Sequence, residues 1–441
     1  MIEKYLVKKI TEPVDWKVTV PGSKSMTNRA LLMAVLSAGT VRVEGVLFSD
    51  DSRHFLACLV ALGFTVEIEE EKKCVTVTGC GGRIPRGEAV IDVGSAGTAA
   101  RFLAAMLGFS DGCYEIRCSA QMKRRPMAEL FDLLSGAGAK ITFLEEEGHL
   151  PVRITGCRYA RADKTAGETP RELSLDITKS TQFLSALLLI APMVPEGMKI
   201  HITSEKTDGS YIRITRRMMQ EFGVSVAFDG RDYEVPCRSS YQKETYMVEP
   251  DMSAACYFYA AAAVTGGRAL VRHVHMDNTQ GDLRFLEVLE HMGCTADDTP
   301  EGVLVTGPAD GALRGITVNM NDFSDQALTL AAIAPFADAP VRIEGIGHIR
   351  GQECDRIHAI QTNLTALGIR CEEKETAATI YPGSPHGGSV ETYDDHRVAM
   401  AFSLVGLRTD GIVIENPACC RKTFENYFTV LSELTGKKTE A

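Results

Sequence analysis

Short clusters of Lys, Arg, Ser and Thr stand directly before several Ala- and Leu-rich runs of this sequence. The first cluster contains Lys24, Ser25 and Arg29, and the last contains His396 and Arg397. An Arg guanidinium pairs with a carboxylate or phosphate through a planar fork, whereas a Lys ammonium supplies a point charge. We therefore expect these clusters to bind a pair of ligands that carry more than one negative charge.

The overall charge of the chain makes this concentration of cations unusual. The 441 residues include 47 Lys and Arg against 58 Asp and Glu, which gives a formal net charge of −11. Nucleic acids and anionic membranes bind basic surfaces, so neither is an expected partner. The other candidates, from the second and third clusters and from three basic segments, are Gly97, Thr98, Arg101, Arg125, Ser180, Thr181, Gln182, Arg356 and Lys422.

Two carboxylates lie among these cations and could transfer protons. Asp325 opens the fifth apolar run, and Glu353 stands three residues before Arg356. A positioned carboxyl group can donate or accept a proton during a reaction. The alternative for Asp325 is the N-cap of a helix, and the alternative for Glu353 is a structural ion pair. The spacing leaves both alternatives open.

Three further polar residues are ambiguous at this stage. His396 stands beside Asp395 at a helix start, where a structural hydrogen bond is more common than acid–base chemistry. Tyr211 and the nearby Asp208 could contact a substrate or close a turn, and both alternatives remain open.

The clusters belong to a pattern that recurs six times. Each copy has a polar start, an Ala- and Leu-rich run, and an end at Gly or Pro. The markers of the six copies are Ser25, Ser95, Ser180, Ser253, Ser324 and Asp394. The intervals between successive markers are 70, 85, 73, 71 and 70 residues. A near-constant interval indicates an internally repeated architecture.

The elements that must position the clusters follow from each copy. Ser, Thr and Asp cap the first turn of a helix, and Ala and Leu favour its continuation. The runs are apolar on all sides, so these helices are expected to be buried. β-Branched segments after the runs predict strands, and further units between the copies read helix, then Gly, then strand. The fold class is therefore α/β, in two halves of three units with interior helices.

The two halves meet near Glu249, before the fourth copy. A first strand, residues 5–20, precedes the first cluster and could pair with either half. Helix starts that converge would aim their N–H groups and positive dipole ends at one place. Such convergence predicts an anion site.

Other function classes have no support in the sequence. The 13 Cys residues form no C-x-x-C pair and there is no H-E-x-x-H, so we expect reduced thiols and no structural metal. His273 and His275 lie two apart in a strand-like run. GSAGTAAR is neither G-x-G-x-x-G nor a P-loop, and no G-x-S-x-G elbow occurs. These patterns argue against a nucleotide site and a Ser hydrolase.

Targeting signals are likewise not evident. The first residues lack the apolar region of a signal peptide. The longest apolar stretch, Phe183 to Val194, contains Pro192 and is too short to span a bilayer. We expect a soluble, cytoplasmic protein.

At the polar clusters the sequence resembles the 5-enolpyruvylshikimate-3-phosphate synthase family, and the resemblance extends over nearly the whole chain. The motifs occur in family order: PGSKSMTNRAL, AGTAAR, MKRRPM, STQFLSALL, TYDDHRVAMAFSLVGL and RKTFENYF. The resemblance implies a two-domain enolpyruvyl transferase fold, an inside-out α/β barrel in which each domain has three βαβαββ units around buried helices. It assigns residues 1–20 and 250–441 to a discontinuous C-terminal-type domain and residues 21–249 to an N-terminal-type domain. The active site would lie in the interdomain cleft.

The implied reaction belongs to the shikimate pathway of aromatic amino acid biosynthesis. It transfers the enolpyruvyl (carboxyvinyl) group of phosphoenolpyruvate to the 5-hydroxyl of shikimate 3-phosphate and releases phosphate. The resemblance implies no metal and no organic cofactor. The expected partners are these two substrates, without nucleic acid or membrane, and the family suggests a monomer.

The resemblance also implies roles for individual residues. Asp325 would take the proton from the attacking hydroxyl, Glu353 would help to protonate the methylene carbon, and Lys24 would serve both substrates. The residues expected to bind shikimate 3-phosphate are Lys24, Ser25, Arg29, Ser180, Thr181, Gln182, Asp325 and Gln352. Those expected to bind phosphoenolpyruvate are Lys24, Gly97, Arg125, Gln182, Arg356, Arg397 and Lys422.

Four positions depart from the common family pattern. Ser95 replaces Asn, Phe102 stands where Pro or Leu is frequent, His348 replaces Asn, and Gln352 replaces Lys. The missing cation at position 352 predicts weaker binding of shikimate 3-phosphate, or compensation by Lys24 and the helix starts.

Three alternatives share parts of this pattern. The sister transferase that acts on UDP-N-acetylglucosamine usually has a reactive Cys where this chain reads SAQMKRRPMAE, which has none. A non-catalytic homologue that binds a phosphorylated ligand is disfavoured because Asp325, Glu353 and Lys422 are present. An RNA-end-processing enzyme is disfavoured by the acidic charge.

Overall fold

The chain divides into two units, each with its own hydrophobic core. One unit is the uninterrupted segment Gly22–Glu249, and the other joins Met1–Pro21 to Pro250–Ala441. We refer to them as the continuous unit and the split unit. The computed structural model describes residues 4–157, 169–308 and 312–436.

Short strands and helices alternate along the described residues. The strands are β1 Lys4–Leu6, β2 Asp15–Val18, β3 Thr40–Glu44, β4 Thr65–Glu69, β5 Cys74–Thr78, β6 Glu88–Asp92, β7 Cys113–Arg117, β8 Lys140–Phe143, β9 Val152–Thr155, β10 Arg171–Leu175, β11 Met198–Ile202, β12 Ala227–Phe228, β13 Asp232–Val235, β14 Thr245–Met247, β15 Arg268–Arg272, β16 Thr295–Thr299, β17 Gly302–Thr306, β18 Thr317–Asn319, β19 Val341–Glu344, β20 Cys371–Lys374, β21 Ala377–Ile380, β22 Gly388–Val390 and β23 Ile412–Glu415. The helices are α1 Lys24–Leu36, α2 Asp50–Ala61, α3 Gly97–Gly108, α4 Ala120–Lys123, α5 Ala128–Gly136, α6 Thr181–Ile190, α7 Ser210–Glu221, α8 Met252–Thr265, α9 Phe285–His291, α10 Ala327–Ile333, α11 Arg356–Ala366, α12 His396–Arg408 and α13 Tyr427–Leu434.

The strands of the described residues form six sheets, and one pattern of pairing repeats in all of them. In the continuous unit, β3 is parallel to β14 and antiparallel to β5. The same arrangement places β7 between β6 and β9, and β11 between β10 and β13. In the split unit, the corresponding central strands are β15, β19 and β23. The predicted repeat is thus confirmed as six copies of one strand arrangement, three in each unit.

The six helices that follow the polar clusters lie in the cores, as predicted. They are α1, α3 and α6 in the continuous unit and α8, α10 and α12 in the split unit. Every residue of α3 and of α10 is buried. This burial is possible because the runs are apolar on all sides, so no face requires water.

The predicted first strand, residues 5–20, is wrong in one respect, because the segment forms two strands in two sheets. β1 pairs antiparallel with β23, and β2 pairs parallel with β15. Pro13 lies between them, and proline has no N–H for a ladder hydrogen bond. Both strands therefore belong to sheets of the split unit.

The strand-like run around His273 and His275 is shorter than its sequence suggests. β15 ends at Arg272, and His273 has a φ of +63°, which turns the chain out of the sheet. The Nδ1 atom of His275 lies 2.8 Å from Asp298 Oδ1. The two imidazoles therefore do not belong to a strand.

Two sequence expectations concern covalent links and membranes. All thirteen cysteines lie in the described residues, and none of them forms a disulfide. Within the same residues, no helix combines the length and apolar character needed to cross a bilayer.

Candidate active site

In the split unit, predicted charged residues lie at the starts of α11 and α12. Asp355 caps α11 by accepting a hydrogen bond from His358 N at 3.0 Å, and Asp395 caps α12 by accepting one from Arg397 N at 2.9 Å. Such caps use N–H groups that a helix start leaves unpaired. The caps place Arg356 in the first turn of α11 and Arg397 in the first turn of α12.

Arg356 joins carboxylates from three segments of the chain. Its Nη1 lies 2.9 Å from Asp325 Oδ1, its Nη2 lies 2.9 Å from Glu353 Oε2, and its Nε lies 2.8 Å from Asp395 Oδ2. The side chain is only 2% exposed. Burial by itself would lower the pKa of Arg356, but Asp395, Glu353 and Asp325 raise it above its ordinary value. The guanidinium is therefore held charged at the centre of the cluster.

Each predicted proton-transfer carboxylate contacts a second cation as well. Arg397 Nη2 lies 2.9 Å from Asp325 Oδ2, and Lys422 Nζ lies 3.3 Å from Glu353 Oε1. We call Asp325, Glu353, Arg356, Asp395, Arg397 and Lys422 the Arg356 cluster. Within it, Asp325 and Glu353 each lie between two positive charges.

The alternatives that spacing left open for the two carboxylates have different outcomes. Asp325 lies in the 3₁₀ turn Ser324–Gln326, and Gln326 is the N-cap residue of α10. Asp325 is therefore not the cap of that helix. Glu353 does form ion pairs, with Arg356 and Lys422, and these pairs also hold it in the cluster.

The segment before Glu353 carries two of the departures from the family pattern. His348 lies in the 3₁₀ turn Gly347–Gly351, with its Nε2 2.8 Å from Ser324 Oγ. Gln352 follows this turn and is half-buried. His348 thus lies beside the turn that carries Asp325.

In the continuous unit, the start of α1 carries two of the predicted cations. Lys24 Nζ lies 3.3 Å from Asp51 Oδ2. Arg29 is 1% exposed and donates to Thr215 Oγ1 at 2.8 Å, to the Ser25 carbonyl at 3.0 Å and to Ser185 Oγ at 3.3 Å.

The hydrogen-bond partners of Arg29 are hydroxyl and carbonyl oxygens. Burial lowers its pKa to about 10, while Tyr211 and Tyr246 act in the opposite direction. The rings of Phe102 and Tyr211 have their centroids 5.3 and 5.8 Å from its guanidinium carbon. A buried guanidinium surrounded by neutral groups favours an anionic ligand.

The start of α3 lies against two arginines. A Cβ atom added to Gly97 would be 2.5 Å from Arg125 Nη1 and 2.8 Å from Arg101 Nη1. Arg125 is 8% exposed. A side chain at position 97 would displace both guanidinium groups, so glycine keeps the backbone close to them.

The start of α6 completes this group. Ser180 is the N-cap, and its Oγ accepts from Gln182 N at 3.3 Å, while Thr181 begins the helix. Gln182 Oε1 accepts from Arg101 Nη1 at 2.7 Å.

Hydrogen bonds connect the three helix starts of the continuous unit. Asn28 Nδ2 donates to Thr98 Oγ1 at 2.5 Å, which joins α1 to α3, and the Arg101–Gln182 bond joins α3 to α6. The predicted residues at these three helix starts, together with Arg125 beside Gly97, are Lys24, Ser25, Arg29, Gly97, Arg101, Arg125, Ser180, Thr181 and Gln182. We call them the helix-start cluster.

Asp208, Tyr211 and His396 have structural contacts. Asp208 Oδ2 accepts from Arg213 at 3.0 Å, and Asp208 Oδ1 accepts from Tyr233 Oη at 3.2 Å. His396 is 1% exposed, and its Nδ1 lies 3.7 Å from Asp395 Oδ1. These contacts favour the turn for Asp208 and the structural role for His396.

Sequence reasoning missed two buried carboxylates, Asp51 and Asp282. Both are nearly inaccessible, at 2% and 7% exposure. The available signal is a shared Asp-x-Arg pattern, Asp51 before Arg53 and Asp282 before Arg284, at the same place in the first and fourth repeats.

The described residues contain no group of three or more His, Cys, Asp or Glu side chains arranged to hold a metal ion. The helix-start cluster is built from cations, hydroxyls and helix starts, and the Arg356 cluster sets three cations among three carboxylates. This donor set suits phosphate and carboxylate groups.

Comparison with known proteins identifies similar chains over almost the whole length. The family model described as EPSP synthase (3-phosphoshikimate 1-carboxyvinyltransferase) matches residues 8–431. The 3-phosphoshikimate 1-carboxyvinyltransferase of Trichormus variabilis is 41% identical, covering 97% of this chain and 98% of that protein. The enzyme of the same name from Nostoc punctiforme is 41% identical, covering 95% of this chain and 96% of its own length.

Solved structures agree with these sequence matches. An EPSP synthase from Acinetobacter baumannii has a TM-score of 0.79 at 25% identity, covering 98% of this chain and 97% of that one. The enolpyruvyl transferase NikO from Streptomyces tendae has a TM-score of 0.71 at 17% identity, again covering 98% and 97%. The second likeness supports the fold alone.

Proposed function

Because the chain belongs to the EPSP synthase family, we propose that it transfers the enolpyruvyl group of phosphoenolpyruvate to the 5-hydroxyl of shikimate 3-phosphate. Phosphate is the second product. The observation that carries this proposal is that Arg356 contacts Asp325 and Glu353 together, while Arg397 and Lys422 contact their other oxygens.

The chemistry of the reaction sets the requirements for the site. Phosphoenolpyruvate is a poor electrophile until its methylene carbon gains a proton, after which the hydroxyl attacks the neighbouring carbon. The site must supply one proton, remove another and hold two polyanions in contact. Cations placed in advance offset the repulsion between the ligands and stabilise the departing phosphate.

Asp325 and Glu353 are the residues to which we assign these proton transfers. We assign Asp325 to the proton of the attacking hydroxyl. Glu353 protonates the methylene carbon and removes a proton when the tetrahedral intermediate collapses. Both carboxylates lie 2.9 Å from Arg356 nitrogens, so one rigid guanidinium orients both.

The cations of the Arg356 cluster also have a role in ligand binding. Arg356, Arg397 and Lys422 bind phosphoenolpyruvate, together with Gly97, Arg125, Lys24 and Gln182. An anionic ligand that draws Arg397 or Lys422 toward itself removes positive charge from the adjacent carboxylate. The carboxylate then gains a proton more readily, which prepares it for the transfer.

Shikimate 3-phosphate is assigned chiefly to the helix-start cluster. Lys24, Ser25 and Arg29 bind it from α1, and Ser180, Thr181 and Gln182 bind it from the start of α6. The buried charge of Arg29 and the presence of two helix starts, whose N–H groups favour anions, support this assignment. Asp325 and Gln352 are the further proposed contacts.

The state of the protein in the cell is part of the same proposal. The chain acts as a monomer in the cytoplasm, with phosphoenolpyruvate and shikimate 3-phosphate as its partners. The thirteen cysteines, none of which forms a disulfide, support a reducing compartment.

Release of inorganic phosphate from phosphoenolpyruvate tests the proposal. We expect turnover with shikimate 3-phosphate and none with UDP-N-acetylglucosamine. Asp325→Ala and Glu353→Ala should each lower kcat by about 100-fold or more, because each removes a proton-transfer group. The dissociation constants of both ligands should change much less than kcat.

Glu344→Ala is the matched control, because Glu344 is a 37% exposed carboxylate of the split unit that pairs with Arg342. It should retain the wild-type kcat. Turnover with UDP-N-acetylglucosamine would overturn the substrate assignment. A near-normal kcat in Glu353→Ala would overturn the proton-transfer assignment.

A further inference from the structure

Asp282 is a buried carboxylate that the proposed reaction does not use. It lies in the 3₁₀ turn Gly281–Arg284 and is 7% exposed. Its Oδ2 accepts hydrogen bonds from Ser253 Oγ and from Gln326 Nε2, the latter at 2.8 Å. Ser253 lies in the first turn of α8, and Gln326 directly follows Asp325. Asp282 therefore connects the start of α8 to the residue beside the proposed base.

The contacts of Gln326 fix the orientation of its side-chain amide. Gln326 Oε1 accepts from Thr329 Oγ1 at 2.9 Å, which leaves the amide NH₂ to face Asp282. Gln326 is completely buried and is the N-cap residue of α10. Asp282 thus holds the backbone at the point where the turn carrying Asp325 enters the helix.

The turn that carries Asp282 is itself held to α8. Gln280 Oε1 accepts from Met252 N at 3.2 Å, and Gln280 Nε2 donates to the Pro250 carbonyl at 2.7 Å. The position of Asp282 is therefore set by the backbone that leads into α8, independently of Asp325.

The charge of Asp282 also acts on the Arg356 cluster. Burial raises the pKa of Asp282 to about 6, Asp325 contributes in the same direction, and Arg397 opposes them. Its titratable and charged neighbours include Asp325, Arg397 and, on α8, Cys256. Among them, Asp325 and Arg397 form the ion pair that the proposed reaction uses.

The equivalent residue of the first repeat shows what is special about Asp282. Asp51 lies 3.3 Å from Lys24, at the start of the first buried helix. In the fourth repeat Met252 occupies the position of Lys24, so Asp282 has a serine where Asp51 has an ammonium group. Because that cation is missing, the negative charge of Asp282 is balanced chiefly by Arg397.

We propose that Asp282 is a positioning residue for Asp325, which it holds in place through Gln326. The inference rests on the proposed function, because it concerns the placement of the carboxylate that is assigned the proton of the hydroxyl. Asp282 itself contacts neither substrate.

Two substitutions separate the hydrogen bond from the charge. Asp282→Asn keeps an oxygen for Gln326 and removes the charge, whereas Asp282→Ala removes both. The measurements are kcat and KM for phosphoenolpyruvate from pH 5 to pH 9. Asp298→Asn is the control, because it removes one negative charge at a carboxylate of the split unit that is 37% exposed.

In Asp282→Asn we expect a kcat within about two-fold of the wild type, because the asparagine oxygen still accepts the hydrogen bond from Gln326. Asp282→Ala should lower the plateau kcat about 10-fold or more, because Asp325 loses its anchor. The KM should change less than about two-fold, since no substrate contact is removed. The control should match the wild type in both quantities.

A wild-type plateau in a folded Asp282→Ala overturns the proposal, and so does a loss of kcat in Asp282→Asn as large as the loss in Asp282→Ala. If Asp282→Ala does not fold, Gln326→Met, which removes the same hydrogen bond from its other side, decides by the same measurement. The wild-type assay separates the two levels of inference. A wild-type protein without turnover overturns the proposed function and this inference with it, whereas an active wild type with unchanged variants overturns this inference only.

Discussion

At the scale of single residues, the guanidinium of Arg356 determines the charge balance of the split unit's cluster. A buried cation is costly unless oppositely charged groups surround it, and three carboxylates lie within 2.9 Å of its nitrogens. These carboxylates would repel one another without it. The same contacts that stabilise Arg356 therefore keep Asp325 and Glu353 close to each other.

Arg356→Gln should lower the free energy of unfolding by about 3–5 kcal/mol, because it leaves buried carboxylates without their shared counter-ion. The loss should be larger at pH 8 than at pH 5, since proton binding at low pH relieves the repulsion. Urea unfolding at both pH values measures it. In Arg342→Gln, which breaks an ion pair whose arginine is 42% exposed, the loss should stay below about 1 kcal/mol. Equal losses in the two variants would contradict this account of Arg356.

At the scale of elements, helices other than the six buried ones, such as α5 and α7, lead to the next strand through a glycine with positive φ. The φ values are +99° at Gly138 between α5 and β8, and +90° at Gly223 between α7 and β12. Glycine adopts such values without a steric penalty because it has no Cβ atom. This turn is the structural form of the helix, Gly, strand pattern in the sequence, and it sets where each strand begins.

Two glycines of one turn should respond to alanine in opposite directions. Gly138→Ala should destabilise by about 1–2 kcal/mol, because φ is +99° there although the nearest atom to an added Cβ is 3.7 Å away. Gly136→Ala, at the last residue of α5 with no atom within 4 Å of the added Cβ, should stabilise by about 0.5–1 kcal/mol. Thermal and urea unfolding measure both. Losses of similar size in both variants would show that packing, not φ, controls this turn.

At the scale of the whole molecule, the acidic composition and the two-unit organisation have local causes. Two of the outermost strands, β4 and β16, carry acidic side chains on exposed positions, and a third, β20, carries Glu372 and Glu373 on half-buried positions. Charges at a sheet edge prevent another chain from adding to it. The negative charge of the chain thus partly protects the sheets, while the cations concentrate at the helix starts.

The two units should differ when they are produced separately. Residues 22–249 contain three complete sheets and should fold alone, whereas residues 250–441 lack β1 and β2 and with them the buried side chains of Tyr5, Trp16 and Val18. We therefore expect cooperative thermal unfolding, followed by circular dichroism, for the first fragment only. Lys8 Nζ lies 3.3 Å from the Gly436 carbonyl, so a chain that continues from residue 441 through a short linker to residues 1–21 should restore the fold.

Failure of this permuted chain to fold, with an unfolded 250–441 fragment, would contradict the proposal that the split unit is a folding unit. A cooperatively folded 250–441 fragment would contradict the role given to β1 and β2.

The sequence by itself determined the features that depend on neighbours along the chain. Polar starts, apolar runs and the glycines after outer helices are local signals, so the six buried helices and the α/β class were predictable from them. The motifs also predicted which cations and carboxylates to examine, from Lys24 to Lys422. Pro13, in contrast, was a local signal that the prediction of one strand over residues 5–20 overlooked.

Only the tertiary structure decided which of these residues share a contact. Asp325, Glu353 and Asp395 lie in different repeats or in separate loops, and no spacing along the chain requires one guanidinium to contact all three. For Asp282 the only signal in the sequence that we identify is the short Asp-x-Arg pattern that it shares with Asp51, and this pattern does not indicate burial. The role of Asp282 follows from burial against α8 and α10, because the energy of a charge depends on the solvent and the groups around it, and these are set by packing rather than by neighbours in sequence.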